Sequence, residues 1–158
     1  MNKFEGSHVA LVTPFTDNER HIDFEALEKL LFFHLSQGTK GLVLGGTTGE
    51  SCALTNEELI ALASFVKERV GDKLTLTLGT GTPSTKTSVD LTKKAKDAGM
   101  DAALVVTPFY NKPSQSGLLK HFKAVSMVGL PIILYHNPKR ASVQFSLNTL
   151  LELAEEES

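Results

Sequence analysis

Cysteine is almost absent from this sequence: Cys52 is the only one, so no disulfide can form within the chain and a reducing, cytoplasmic setting is the expectation. An excess of charge of either sign is missing too. Sixteen Lys and Arg stand against eighteen Asp and Glu, a formal net charge of −2 with a pI near 6.2. Neither nucleic acid nor an anionic membrane is expected as a partner on that balance. Long apolar runs are lacking as well. The first run, Val9 to Val12, stops at Thr13-Pro14, too short for a signal-peptide core or a membrane span. The histidines His8, His21, His34, His121 and His136 show neither i, i+4 pairing nor clustering with carboxylates, so no metal is expected. No linker, low-complexity tract or charge block interrupts the chain apart from Glu155-Glu156-Glu157, which reads as a solvated helix end. Acid there opposes the helix macrodipole, as at a cut rather than a designed stop.

What is present is an alternation. With 158 residues, 41% apolar and 22% charged, the chain is expected to form one globular domain with a sizeable core. Strand-sized apolar runs recur at Val9–Val12, Leu42–Leu44, Leu74–Leu78, Ala102–Val106 and Ile132–Tyr135. Between them lie segments of helical period. A first helix starts near Asp23, with Phe24, Leu27, Leu31 and His34 on one stripe and Gly38 beyond its end. A second carries Leu59, Leu62, Ala63, Val66 and Val70, opened by a Thr55/Glu58 capping box and closed by Gly71. The third runs from about Ser84 to Gly99 and buries Val89, Leu91, Ala95 and Ala98; Leu118, Phe122 and Val125 mark a fourth; Leu147, Leu150, Leu151 and Ala154 begin a fifth. His34 is read as a satisfied core or rim histidine.

Five consecutive βα units imply a mainly parallel sheet buried on both faces. Length alone favours a doubly wound sheet, since a (βα)8 barrel takes about 250 residues. Two features favour the barrel: a repeat of roughly constant character every 30 residues or so, and a polar or Gly/Pro-rich segment after every strand. In a barrel all those segments gather at one rim, where substrates bind.

Gly45-Gly46-Thr47-Thr48-Gly49-Glu50-Ser51 follows the second strand and reads as a small-anion cradle, its glycines allowing close backbone approach and its hydroxyls and free N–H groups facing an anion. No Lys follows the glycines, so it is not a nucleotide P-loop. The chain's two tyrosines, Tyr110 and Tyr135, both fall at the rim, with Arg140 nearby. Phenols beside hydroxyls can pass protons and a guanidinium grips a carboxylate bidentately, a combination suited to a small keto acid. Cys52 is read as a small buried side chain rather than a nucleophile. On these residues alone, a non-catalytic domain holding a small carboxylate or phosphate stays open.

Gly46-Thr47-Thr48-Gly49-Glu50-Ser51, Val106-Thr107-Pro108-Phe109-Tyr110-Asn111-Lys112-Pro113-Ser114-Gln115, Leu134-Tyr135-His136-Asn137-Pro138-Lys139-Arg140 and Val9-Ala10-Leu11-Val12-Thr13-Pro14-Phe15 together resemble the dihydrodipicolinate synthase family, in the right order along the whole chain. The resemblance implies a (βα)8 TIM barrel, with residues 1–158 the N-terminal part of that single domain, and usually a homotetramer built as a dimer of dimers. It implies condensation of pyruvate with aspartate 4-semialdehyde through a lysine Schiff base, with no cofactor, on the diaminopimelate route to lysine. Thr47, Tyr110 and Tyr135 match the family's proton relay, Tyr110 serving across the tight-dimer interface; Tyr135 is also the general acid/base, Thr48 binds the pyruvate carboxylate and Arg140 the second substrate's carboxylate. Within the superfamily, N-acetylneuraminate lyases and keto-sugar acid aldolases are the near alternatives, and an inert fragment that binds a small carboxylate is another. The positions of the family's lysine-effector pocket hold Asn56, Leu59, Pro83, Thr87 and Phe109, which implies weak or absent inhibition by lysine.

The resemblance places the Schiff-base lysine past Ser158, leaving an open strand edge and no aldol chemistry in these residues alone. The 158-residue chain treated with pyruvate and borohydride is therefore expected to gain no pyruvyl mass, and a trapped adduct in its mass spectrum would overturn the assignment.

Overall fold

A computed structural model describes residues 3–16 and 21–155; Glu156 and Glu157 of the acidic end lie outside them. The chain alternates strand and helix: β1 (His8–Ala10), α1 (Phe24–Ser36), β2 (Gly41–Leu44), α2 (Asn56–Val70), β3 (Thr75–Gly79), α3 (Thr85–Asp97), β4 (Ala102–Val106), α4 (Gln115–Ser126), β5 (Ile132–Tyr135), α5 (Pro138–Ala141) and α6 (Leu147–Ala154). Each long helix begins where a short polar side chain can accept from an otherwise unpaired N–H: Asp23 from Ala26 at 2.9 Å, Ser84 from Thr87 at 3.2 Å, Ser114 from Gly117 at 3.2 Å. Ahead of α2 the capping box is complete, and the hydrogen bonds from the Thr55 backbone and hydroxyl hold the Glu58 carboxyl below its ordinary range.

The strands form one parallel sheet in the order β1-β2-β3-β4-β5. That order decides between the two architectures. A doubly wound sheet reverses at a switch point, whereas here spatial order follows chain order throughout, so right-handed crossovers keep every helix on one face. The helices accordingly pack as successive neighbours, α1 on α2, α2 on α3, α3 on α4 and α4 on α6. The result is an arc of five βα units of an α/β barrel, with β1 and β5 at its open edges.

Between sheet and helices lies the core. Leu42, Leu44, Leu76, Leu78 and Val105 meet Leu27 and Leu31 of α1, the Leu59-Leu62-Ala63-Val66-Val70 face of α2, Leu91 and Ala95 of α3, and Leu118, Phe122 and Val125 of α4. Part of this seam is polar. Ser88 and Thr92 of α3 are fully buried, and the Thr92 hydroxyl bonds the Ser88 carbonyl at 2.7 Å and Thr80 at 2.8 Å, so no donor is stranded there. At the sheet's opposite end Lys3 pairs with Asp101, which also accepts from Leu76 N at 2.7 Å and so ties the N-terminal segment across β3 and β4.

Several expectations shift. The first strand covers His8–Ala10 rather than Val9–Val12, and Val12 is exposed, because Leu11 makes the last bond to β2 before the chain turns away. Val89 and Ala98 are only partly buried; Ser88 and Thr92 take the inward positions instead. Leu147 and Leu151 start α6 but face outward, and Leu150 and Leu153 pack on the core. His34 is half-buried, its Nδ1 3.1 Å from the Thr39 hydroxyl.

His121, on the inner face of α4, is buried with Nδ1 2.9 Å from the Thr85 hydroxyl and Nε2 without a partner among the described residues. Burial pushes its pKa below 6.5. The unfolded chain therefore takes up a proton near that pH which the folded chain refuses, so stability holds above it and falls as the pH drops below it, until the folded imidazole is protonated too. Urea midpoints are expected to decline from about pH 7 to about pH 5, and to decline less in His121→Asn; equal declines would show that His121 is not the linked group.

Candidate active site

The rim loops take their shape from backbone packing. As β2 ends, Gly45 turns the chain at φ +57°, and a Cβ on Gly79 at the end of β3 would lie 2.1 Å from the Gly45 carbonyl oxygen. No side chain fits between these loops. Gly49 is likewise pressed to the backbone of Leu11, with the Thr13 hydroxyl donating to its carbonyl at 2.8 Å. Glu50 then adopts a left-handed conformation and leads into a single 3-10 turn, Ser51–Ala53.

This alters the reading of the cradle. The N–H groups of Glu50 and Ser51 donate back to the carbonyls of Thr47 and Gly46, at 3.1 and 3.3 Å, and so are spent inside the loop instead of facing an anion. The hydroxyl-bearing Thr47 and Thr48 are exposed. Cys52, expected to be buried, is exposed on the 3-10 turn, because the chain there runs over the rim and not into the core.

A cavity of about 680 Å³ opens between the loops that follow β2, β3, β4 and β5, with Gly45, Gly46, Thr47, Glu50, Gly79, Gly81, Thr82, Phe109, Tyr135 and Arg140 among its walls. Three of the expected site residues, Thr47, Tyr135 and Arg140, share it. Thr48 and Tyr110 do not line it. Tyr110 is 92% exposed with φ +70°, swung outward by a tight turn in which Asn111 N donates to Phe109 O and the Asn111 amide to Pro83 O at 3.1 Å. The three hydroxyls expected to relay protons are therefore not hydrogen-bonded to one another. The Tyr135 oxygen instead accepts from the Asn137 side chain at 3.0 Å.

Asn56, Leu59, Pro83 and Phe109 line this same cavity, while Thr87 does not. Leucine, proline and phenylalanine give that part of the wall an apolar surface. Among the described residues no group of three or more His, Cys, Asp or Glu is placed to hold a metal ion, and no helix is long and apolar enough to cross a membrane. Glu50 and Asn137 were not anticipated as site residues. The Asn-Pro pair at 137–138 is a recognisable turn signal, but only the fold brings its amide to the phenol.

Consecutive parallel βα units, with a cavity over the carboxyl ends of the strands, define the class of α/β-barrel enzymes, whose loops of that face carry the chemistry. Within that class the chain belongs to the dihydrodipicolinate synthetase family, whose family model matches residues 3–158. It is 48% identical to the 4-hydroxy-tetrahydrodipicolinate synthase of Pelagibacter ubique (strain HTCC1062), over 96% of this chain and 52% of the relative. It is 46% identical to that of Aquifex aeolicus (strain VF5), over 97% and 52%. The crystal structure of dihydrodipicolinate synthase from Aquifex aeolicus superposes with a TM-score of 0.93 at 45% identity, covering 97% of this chain and 52% of that one. The chloride-inhibited enzyme from Acinetobacter baumannii complexed with pyruvate gives 0.92 at 44%, covering 95% and 52%. The chain thus spans about half the length of the curated relatives it matches.

Gly79→Ala is expected to cost more than about 2 kcal/mol, because its methyl would meet backbone and not a movable side chain. Thermal unfolding reads this directly, and an unchanged Tm would show that the β2 and β3 loops are not held in contact.

Proposed function

We propose that residues 1–158 form the N-terminal part of a single barrel domain that condenses pyruvate with aspartate 4-semialdehyde to 4-hydroxy-tetrahydrodipicolinate. The observation that carries the reading is the convergence of Thr47, Tyr135 and Arg140 on one cavity, in a chain of this family. In the reaction a lysine amine, assigned beyond Ser158, adds to the pyruvate ketone and releases water to form a Schiff base. Loss of a methyl proton gives the enamine, whose carbon attacks the aldehyde carbon as the aldehyde oxygen takes up a proton, and the semialdehyde's own amine then displaces the lysine amine to close the ring. Tyr135 serves as the general acid/base at the pyruvyl centre, Thr47 passes the proton on, Thr48 holds the pyruvate carboxylate and Arg140 that of the semialdehyde.

Tyr110 takes its part from a neighbouring subunit's site. Its outward φ and near-complete exposure support a residue that completes a relay in another copy, within a homotetramer assembled as a dimer of dimers. The apolar wall at Leu59, Pro83 and Phe109 supports weak or absent inhibition by lysine, whose ammonium and carboxylate groups need polar partners. A cytoplasmic setting accompanies this reading.

Residues 1–158 joined to the C-terminal half of the Aquifex aeolicus relative, expressed in a bacterial strain that requires diaminopimelate, are expected to restore growth, whereas residues 1–158 alone are not. Tyr135→Phe should abolish the rescue by lowering kcat about a hundredfold or more. A folded, expressed fusion that gives no growth would overturn the assignment.

A further inference from the structure

Asn137 occupies the N-cap of α5, a position where asparagine side chains ordinarily accept from the first turn's N–H groups. Here the side chain makes no capping bond. The backbone carbonyl does that work, accepting from Arg140 N at 3.0 Å and Ala141 N at 2.9 Å, and the freed amide donates to the Tyr135 phenolic oxygen at 3.0 Å. Tyr135 lines the cavity and Asn137 does not, so the amide reaches the phenol from outside the cavity wall. Both residues are half-buried, where a hydrogen bond holds geometry better than at an open surface.

The rest of Tyr135 is already constrained. Its backbone sits in the β4–β5 ladder opposite Val106, and its carbonyl accepts from Thr107 N at 3.2 Å. What the sheet leaves free is rotation of the ring and of the O–H. A phenol carries one hydrogen and can also accept; once an amide N–H donates to the oxygen, the phenol's hydrogen remains for a partner elsewhere.

We propose that Asn137 is a positioning residue for Tyr135: its amide occupies an acceptor site of the phenolic oxygen, so that the O–H is left to be given to a ligand in the cavity. This rests on the reading of Tyr135 as the acid/base of a pyruvate site. The same residue's carbonyl anchors the turn that carries Arg140, so the phenol and the guanidinium share one anchor through two different atoms of Asn137. Replacing the side chain therefore disturbs the phenol and leaves the backbone bonds to α5 in place.

The chain offers a direct readout, because it has two tyrosines and no tryptophan. In a Tyr110→Phe background Tyr135 is the sole phenol, and the intensity ratio of its Raman Fermi doublet reports whether the oxygen accepts or the hydroxyl donates. With Asn137 present and no ligand, the ratio is expected on the acceptor side. Asn137→Leu should lower it, and Asn137→Asp, which keeps the size and turns the donor into an acceptor, should carry it to the donor side; circular dichroism checks that each variant is folded. A donor-type ratio with Asn137 present, or one that neither substitution moves, overturns the proposal. In the fusion of residues 1–158 to the C-terminal half of the Aquifex aeolicus relative, Asn137→Leu should lower kcat about five- to tenfold with KM for pyruvate little changed, as expected for one neutral hydrogen bond used at the chemical step; a rise in KM alone would also overturn it. If that fusion lacks synthase activity altogether, the pyruvate reading fails, while the doublet still decides whether the bond exists.

Discussion

Where β2 and β3 leave the sheet, the two strands' exits are pressed together until nothing but hydrogen fits between Gly79 and the Gly45 carbonyl. The rest of the rim depends on that approach. It sets the Gly45 turn, which sends the following loop outward over the strand ends and closes it through the Glu50 and Ser51 N–H bonds. Thr47 reaches the cavity because the loop is closed in this way. The N–H groups of Thr47 and Thr48 donate to no carbonyl among the described residues, so they are left for an anion beside the Thr47 hydroxyl and the guanidinium of Arg140.

Behind the rim, Thr77 Oγ1, His121 Nε2 and His136 Nδ1 are buried without a partner among the described residues, but the hydroxyls that support the loops are paired. Thr80, Thr92 and Ser88 link the end of β3 to α3, and Thr82 N and its hydroxyl bond the Ser88 oxygen at 2.9 and 3.0 Å, so the loop after β3 hangs from a helix by hydroxyls. Gln115 performs a comparable function lower on the chain, its amide joining the starts of α4 and α6 through Gln144 O, Ser146 N and the Thr149 hydroxyl. Such bonds contribute about 1 kcal/mol each, less than a buried leucine, but they fix direction, and direction is what a site built on several separate loops requires.

Much of the architecture was legible from period and punctuation. Leu59, Leu62, Ala63, Val66 and Val70 announced α2, and Thr55 with Glu58 its first turn, because those signals act within one or two turns of chain. The errors fell where a neighbour in space overrides a local rule. Val12 extends an apolar run yet lies outside the sheet. Cys52 has the size of a core residue yet sits on the rim, and Leu147 and Leu151 keep helical spacing on a face that nothing in residues 3–16 and 21–155 covers. At the site, residue types were readable, but Tyr110 and Tyr135 looked equivalent until the fold turned one outward and gave the other an asparagine.

By itself the sequence determined the order of strands and helices, the helix starts, and the collection of hydroxyls, phenols and a guanidinium on segments that follow strands. These depend on residues near one another in the chain, whose hydrogen bonds and periodicities are local. The tertiary structure alone decided that the sheet runs in chain order without a switch point, that Thr47, Tyr135 and Arg140 face a common cavity, and that the Asn137 amide meets the Tyr135 oxygen. Those outcomes depend on which strands pair and how closely their exits pack, and no local propensity encodes a distance between atoms that only folding brings together.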